Sequence, residues 1–171
     1  MNIALIGMMG SGKSTIGKLL NSKLEEFTFV DTDAKIIENE KISINEIFSK
    51  FGEEYFRKIE AQTLKTLLKQ DNQIISTGGG IVKSEENLKL LKENSVVIYL
   101  KASPETLYER VKSNKERPLL KTENIFEKIK ILLNEREINY NKANFTIITD
   151  NKLPDEITNE IIGIINADCR S

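Results

Sequence analysis

The segment at residues 7–15, Gly-Met-Met-Gly-Ser-Gly-Lys-Ser-Thr, most constrains what this chain can fold into. It matches the pattern G-x-x-x-x-G-K-[ST], in which glycines allow backbone N–H groups to surround phosphate oxygens. The pattern acts as a phosphate site only between a strand and a helix. Residues 2–6 form an apolar run typical of a buried strand, and apolar residues recur at helical spacing from Ile16 to Leu24. The segment therefore predicts binding of a nucleoside triphosphate.

The residue types in this loop also predict individual roles. The Lys13 ammonium can reach the β- and γ-phosphates, and the Ser14 hydroxyl can ligate Mg²⁺. The helix that begins here adds the positive end of its dipole. The predicted triphosphate-binding residues of the loop are Gly10, Ser11, Gly12, Lys13, Ser14 and Thr15.

Composition narrows the classes of protein. The length of 171 residues predicts one domain spanning residues 1–171. A net charge of -1 gives no basic footprint for nucleic acid. No apolar run approaches the roughly 20 residues of a membrane span, and the first strand leaves no room for a signal peptide. The chain has no histidine and one cysteine, Cys169, so imidazole chemistry is excluded and a reducing cytoplasm is expected.

Arginine is scarce in this chain. There are 20 lysines but only five arginines, so a generic positive charge is usually supplied by lysine. Arginine has a planar fork that binds carboxylates and phosphates through two bonds. The arginines are therefore candidates for anion-binding sites: Arg57, Arg110, Arg117, Arg136 and Arg170.

Short apolar runs alternate with longer helical patterns along the whole chain. Strands are predicted at 2–7, 28–31, 73–76, 96–100 and 145–149. Helices are predicted at 13–24, 33–39, 43–50, 53–69, 84–92, 104–112, 124–141 and 154–167. This alternation predicts an α/β fold of three layers, α/β/α, around a five-stranded parallel sheet. Ligands of such sheets bind at the carboxyl ends of the strands.

Two carboxylates, Asp31 and Asp33, follow the second predicted strand. In an extended chain they point to the same side. Near a triphosphate, one carboxylate can serve Mg²⁺ and the other can accept a proton from a substrate hydroxyl. The alternative is that Asp33 caps the next helix. We expect function to prevail, with one aspartate able to fill both roles.

Two further patterns invite a functional interpretation. Arg57 and Glu60 lie three residues apart on a predicted helix and can pair. The pair is either a solvated surface ion pair or an arginine held towards an anionic substrate, and the residues leave both open. Three glycines, Gly78, Gly79 and Gly80, follow the third strand. We expect them to mark a place where a ligand or another backbone comes very close, and the alternative is a plain flexible turn.

Residues 112–124 are polar and separate two predicted helices. A loop of this length in a compact domain is usually functional or disordered. We predict a lid that carries Arg117 over the phosphates and excludes water.

In this order and at these spacings, the motifs resemble the shikimate kinase family, part of the nucleoside-monophosphate-kinase group of P-loop proteins. The resemblance runs from the first strand to the last helix. It rests on the loop at 7–15, Asp31-Thr32-Asp33, Arg57-Lys58-Ile59-Glu60, Ile74-Ile75-Ser76-Thr77-Gly78-Gly79-Gly80-Ile81, Arg117-Pro118-Leu119-Leu120, and Glu135-Arg136 followed by Tyr140. It implies the strand order 2-3-1-4-5 and a lid at about 112–124.

The resemblance implies transfer of the γ-phosphoryl group of ATP to the 3-hydroxyl of shikimate, within aromatic amino acid biosynthesis. Its implied catalytic residues are Lys13, Asp33 and Arg117, and its implied substrate-binding residues, with a segment at about 32–60, are Asp33, Arg57, Gly78, Gly79, Gly80 and Arg136. Arg110, Arg117 and Lys152 would join the loop in binding ATP, and Ser14 and Asp31 would serve Mg²⁺. The implied protein is a cytoplasmic monomer that acts on small molecules, without nucleic acid or membrane partners.

Two alternatives stay open at this point. A related kinase could act on gluconate or on a nucleoside monophosphate, although a nucleotide acceptor would favour more arginines near the lid. A non-catalytic nucleotide-binding regulator could keep the fold, although it would tend to lose a catalytic position. Lys13, Asp33, Arg57, Arg117 and Arg136 are all present.

Overall fold

Five parallel strands form one sheet in a computed structural model that describes residues 1–112 and 124–168. The strands are β1 Asn2–Ile6, β2 Thr28–Asp31, β3 Gln73–Ser76, β4 Ser95–Lys101 and β5 Phe145–Ile148. Their order is β2-β3-β1-β4-β5, and each neighbouring pair is parallel. The predicted parallel sheet and its strand order are confirmed.

Helices connect the strands. They are α1 Lys13–Lys23, α2 Thr32–Glu40, α3 Ile44–Leu67, α4 Glu85–Asn94, α5 Pro104–Val111, α6 Ile125–Tyr140 and α7 Pro154–Asp168. A short 3₁₀ turn at Ile81–Lys83 follows the three glycines and was not predicted. Within the part of the chain that the structure describes, no helix is both long and apolar enough to cross a membrane.

The central strand β1 is buried along its whole length, because both faces of the sheet are covered. Alternate residues of β1 enter two different cores. Ala4 and Ile6 pack with side chains of α4, α5 and α6. Ile3 and Leu5 pack on the opposite face with side chains of α1 and α7. The predicted three-layer architecture is confirmed.

The two helices predicted at 43–50 and 53–69 correspond to the two parts of α3, which is interrupted at Gly52. Gly52 lies within it at φ 83° and ψ 174°, a conformation that a residue with a side chain rarely adopts. Ser43 begins the helix with a capping box, in which Ser43 and Glu46 each bind the other's backbone N–H. Gly52 therefore interrupts the helical backbone, which agrees with the break predicted between residues 50 and 53.

Sheet register brings the functional segments to one edge. Ser76 at the end of β3 pairs with Leu5 of β1 on one side and with Asp31 of β2 on the other. The end of β3 therefore lies between the end of β2 and the point where the phosphate-binding loop leaves β1. The ends of β2 and β3 are 45 residues apart in sequence, yet they line the same edge of the sheet.

Candidate active site

The loop at residues 7–12 wraps around the start of α1. Gly10 and Gly12 have φ of 80° and 94°, which side-chain-bearing residues rarely adopt. The Lys13 ammonium donates to the carbonyl oxygens of Gly7 and Met8, at 2.8 and 3.0 Å. These bonds hold the lysine against the loop, in the region where phosphate oxygens are expected.

A cavity of about 640 Å³ opens beside this loop. Every predicted loop residue lines it, from Gly10 to Thr15. The other walls include Asp31, Asp33, Ser76, Thr77, Gly79, Arg110 and Lys152. The structure therefore brings together residues from β2, β3, α5 and the segment after β5, as the sequence predicted.

Ser14, Asp31 and Ser76 form a hydrogen-bonded group that lines the cavity. The Ser14 hydroxyl donates to Asp31 Oδ2 at 2.7 Å and lies 3.2 Å from the Ser76 hydroxyl oxygen. Asp31 Oδ1 accepts from the backbone N–H groups of Asp33 and Ala34, at 3.0 and 3.2 Å. The cap of α2 is therefore Asp31, and the alternative of a capping Asp33 is wrong.

The Asp33 carboxylate instead faces the glycine turn. A Cβ placed on Gly78 would lie 2.8 Å from Asp33 Oδ1 and 3.0 Å from Glu60 Oε1. The Gly78 N–H donates to the buried Thr32 hydroxyl at 3.0 Å, which ties this turn to the end of β2. Only glycine leaves room for two carboxylates at this position.

Arg57 and Glu60 pair as predicted, with Arg57 Nη1 donating to Glu60 Oε2 at 2.7 Å. The side chain of Glu60 is only 1% exposed, so the alternative of a solvated surface pair is wrong. Burial raises the pKa of the Glu60 carboxyl above its ordinary value, and the neighbouring Arg57 charge opposes this rise. Arg57 also bonds Glu53, and its guanidinium lies over the Phe56 ring. These contacts hold its fork against Gly80.

The glycine turn is in close contact on each of its sides. A Cβ on Gly79 would lie 3.3 Å from the backbone nitrogen of Met9 in the phosphate-binding loop. A Cβ on Gly80 would lie 2.5 Å from Arg57 Nη2. The expectation that three glycines mark a close approach is confirmed.

Arg136 reaches the same turn from α6, although it lies inside that helix. Its side chain is 3% exposed, and Nη1 donates to the Gly79 carbonyl oxygen at 3.1 Å. The buried Tyr140 hydroxyl donates to the same oxygen. Burial raises the pKa of Tyr140 to about 12, so this hydroxyl keeps its proton near neutral pH.

Arg110 and Lys152 also line the cavity. Arg110 donates to the Thr149 side-chain and carbonyl oxygens, at 3.1 and 3.0 Å, and to the Gly10 carbonyl oxygen at 3.4 Å. It thereby joins the phosphate-binding loop to the segment after β5. The Lys152 ammonium pairs with Glu160 at 2.6 Å.

Some neighbours of the site were not predicted. Ser76 and Tyr140 are part of the quoted motifs, but no role was predicted for either residue. The signal for Ser76 was its place at the end of β3, and for Tyr140 its place one helical turn after Arg136. Arg117 and the predicted lid lie outside the described residues, apart from the segment's two ends.

A phosphate-binding loop between the central strand of a parallel sheet and a helix is the strand–loop–helix unit of P-loop proteins. The fold and the cavity together therefore define a P-loop protein that binds a nucleoside triphosphate.

Comparison with known proteins narrows this class. The family profile described as "Shikimate kinase" matches residues 9–166. A shikimate kinase of Thermodesulfovibrio yellowstonii is 47% identical over 161 residues, which are 94% of this chain and 92% of that protein.

Solved structures agree with this match. The shikimate kinase of Acinetobacter baumannii, solved in complex with shikimate, has a TM-score of 0.94 and 34% identity, covering 98% of this chain and 93% of that chain. The shikimate kinase of Aquifex aeolicus has a TM-score of 0.84 and 37% identity, covering 100% of this chain and 99% of that chain. The chain belongs to the shikimate kinase family, and it is an ATP-dependent small-molecule kinase.

Proposed function

We propose that this chain transfers the γ-phosphoryl group of ATP to the 3-hydroxyl of shikimate, giving shikimate 3-phosphate and ADP. The observation that carries the proposal is the glycine turn at 78–80, which joins two arginines to the phosphate-binding loop. Gly79 touches the loop, and Arg57 and Arg136 contact the turn from α3 and α6. An anionic acceptor bound between them would lie next to the γ-phosphate.

The part of the site that binds the phosphoryl acceptor would recognise a carboxylate. The guanidinium groups of Arg57 and Arg136 are the forked donors that bind carboxylates through two bonds. Both contact the turn, and Arg57 is held by the buried Glu60. Shikimate carries one carboxylate on a hydroxylated ring, so it offers both the anion and the acceptor hydroxyl. The glycines at 78–80 would let the ring approach the backbone closely.

Asp33 is the residue proposed to orient the acceptor hydroxyl. Its carboxylate lines the cavity and lies next to Gly78. It can accept a hydrogen bond from the hydroxyl and take up its proton as the new P–O bond forms. Because a loose transition state needs little activation of the nucleophile, the main contribution of Asp33 would be orientation.

ATP, the phosphoryl donor, would bind in the 640 Å³ cavity beside the phosphate-binding loop. Backbone N–H groups at 10–15 and the Lys13 ammonium would neutralise the phosphates. Arg110 and Lys152 also line this cavity and are proposed to lie near the adenine. The lid at 112–124 is proposed to bring Arg117 to the transferring group and to exclude water, so that ATP is not hydrolysed.

The cavity wall at Ser14 and Asp31 suits a magnesium ion. Ser14 and Asp31 present a hydroxyl oxygen and a carboxylate oxygen that lie 2.7 Å apart. Both are oxygen ligands of the kind that Mg²⁺ prefers. Mg²⁺ usually takes one or two protein oxygens and fills its other positions with phosphate oxygens and water. The bound ion would offset the negative charge of the phosphates. Since Asp31 Oδ1 already caps α2, its Oδ2 is the atom left for this role, directly or through water.

An acceptor-dependence assay tests the proposal. ADP release is coupled to a spectroscopic readout, with MgATP and shikimate, gluconate, AMP or no acceptor. Turnover with shikimate alone is expected. Turnover with another acceptor would contradict the assignment of shikimate as the substrate. ATP binding without turnover would favour the alternative of a non-catalytic nucleotide-binding regulator.

A pair of variants on one helix tests the anion site. Arg57→Ala should raise the KM for shikimate far more than the KM for ATP. Lys58→Ala removes a neighbouring exposed charge and should leave both KM values near those of the wild type. An equal effect of Arg57→Ala on both KM values would contradict the role of Arg57 in binding the acceptor carboxylate.

The monomeric state and the cytoplasmic location stay predictions from the sequence.

A further inference from the structure

The carbonyl oxygen of Gly79 accepts two hydrogen bonds from α6. Arg136 Nη1 donates at 3.1 Å, and the Tyr140 hydroxyl donates at 2.5 Å. A carbonyl oxygen has two lone pairs, so these donors fill its capacity. Arg136 and Tyr140 lie four residues apart and therefore on the same face of α6. One helix face thus holds one carbonyl of the glycine turn with two side chains.

Fixing this carbonyl fixes more than one atom. The peptide unit is planar, so the direction of the Gly79 C=O bond also sets the orientation of the Gly80 N–H. Gly79 lies against the phosphate-binding loop, and Gly80 lies against the Arg57 guanidinium. Glycine resists rotation less than other residues, so this peptide needs external bonds to keep one orientation.

We infer that the Tyr140 hydroxyl is a positioning group for the acceptor site, through the Gly79 carbonyl that it shares with Arg136. The inference rests on the proposed function, since it takes Arg136 and the glycine turn as the acceptor-binding residues. Tyr140 is fully buried and has no direct route to a substrate. Its hydroxyl acts by keeping the Gly79–Gly80 peptide and the Arg136 fork in the arrangement that binds the acceptor carboxylate.

The chain contains a matched control in Tyr99. The two rings stack with centroids 4.9 Å apart, and both are almost completely buried. Among the described residues, the Tyr99 hydroxyl has no hydrogen-bond partner, in contrast to the Tyr140 hydroxyl. Phenylalanine at either position keeps the stacked ring. The two variants therefore remove the same atom from the same aromatic pair, and only one of them loses the bond to Gly79.

The experiment compares Tyr140→Phe, Tyr99→Phe and the wild type in the coupled ADP-release assay. Loss of one hydrogen bond corresponds to about a fivefold effect on an equilibrium. We expect Tyr140→Phe to raise the KM for shikimate about fivefold or more, with the KM for MgATP changed less than about twofold. Tyr99→Phe should match the wild type for both substrates. A wild type that does not turn over with shikimate would refute the proposed function itself.

Asn139→Ala separates positioning from general stability. Asn139 lies beside Tyr140, and its side chain bonds the Val82 carbonyl in the following 3₁₀ turn at 3.0 Å. This variant should lower the melting temperature without changing the KM for shikimate. If Asn139→Ala and Tyr140→Phe raise that KM equally, or if Tyr140→Phe changes only stability, the positioning role is wrong.

A measurement on the wild type covers the case in which Tyr140→Phe does not fold. The hydroxyl proton of Tyr140 and the amide proton of Gly80 are followed by NMR during titration with shikimate and, separately, with MgADP. Both protons should shift with shikimate and stay nearly unchanged with MgADP. A Tyr140 hydroxyl resonance that does not respond to shikimate would overturn the inference.

Discussion

Replacing Gly80 by alanine would displace the Arg57 guanidinium by about 1 Å. Gly80 has φ -98° and ψ -1°, a turn conformation with negative φ that residues with a side chain also adopt. The new Cβ would lie 2.5 and 2.6 Å from the two Arg57 Nη atoms and 2.9 Å from Cζ. Ordinary contacts are about 3.5–4.0 Å, so the fork must retreat. Arg57 is 23% exposed and can move towards solvent, so the fold should survive.

This displacement should act on acceptor binding. A misplacement of about 1 Å can cost about 10²-fold in rate, so we expect kcat/KM for shikimate to fall by about 10- to 100-fold, which is about 1.4–2.7 kcal/mol. The KM for MgATP should change less than about twofold, because the phosphate-binding loop has its own internal bonds. The assay is steady-state ADP release with shikimate varied at saturating MgATP, and urea unfolding checks the fold.

Gly163→Ala is the control for this substitution. Gly163 lies in α7, and a Cβ there would meet nothing within 4 Å. This variant should be more stable by about 0.5–1 kcal/mol with unchanged kinetics, since alanine favours a helix over glycine. A wild-type KM for shikimate in Gly80→Ala would show that the position of Arg57 does not matter for the acceptor, and the reasoning would be refuted.

Three further substitutions test the acceptor-orienting carboxylate Asp33 and two carboxyl groups whose pKa values the fold shifts, Glu60 and Asp150. Asp33→Asn should nearly abolish turnover while calorimetry still detects MgATP binding, and near-normal turnover would remove Asp33 from the mechanism. Glu60→Gln removes a carboxyl whose pKa burial raises above 4.5. The folded wild type therefore binds that proton more tightly than the unfolded chain does, and its free energy of unfolding should fall more steeply than that of the variant as the pH rises above 4.5. Equal slopes in urea titrations would contradict this. Burial alone would raise the pKa of Asp150, but hydrogen bonds from Thr106 and Ser103 outweigh it and lower the pKa. Asp150→Ala should therefore lower the free energy of unfolding by about 1 kcal/mol at neutral pH, as measured by urea unfolding. This difference from the wild type should shrink as the pH falls below the ordinary carboxyl pKa, and a difference that grows on acidification would contradict the prediction.

Much of the fold could be predicted because its signals are local. The pattern at 7–15 requires a strand, a tight turn and a helix in succession, and hydrophobic periodicity located the five strands. The 3₁₀ turn at Ile81–Lys83 was not predicted, because it depends on backbone angles rather than on the spacing of apolar residues.

The sequence by itself determined the chemistry that is available at the site. The loop specifies a phosphate site, and scarce arginine in a lysine-rich chain indicated where a forked cation is needed. These inferences depend on residue types at short spacing. The family resemblance then supplied the strand order 2-3-1-4-5, which the structure confirms.

Only the tertiary structure decided how these groups are placed. Ser14 meets Ser76 across 62 residues of sequence, and Tyr140 meets Gly79 across 61. Because Glu60 is buried, its ion pair with Arg57 is not the solvated surface pair that the sequence left open. Local patterns cannot predict such contacts, because sheet order, helix packing and the need to satisfy buried polar groups act on the whole chain at once.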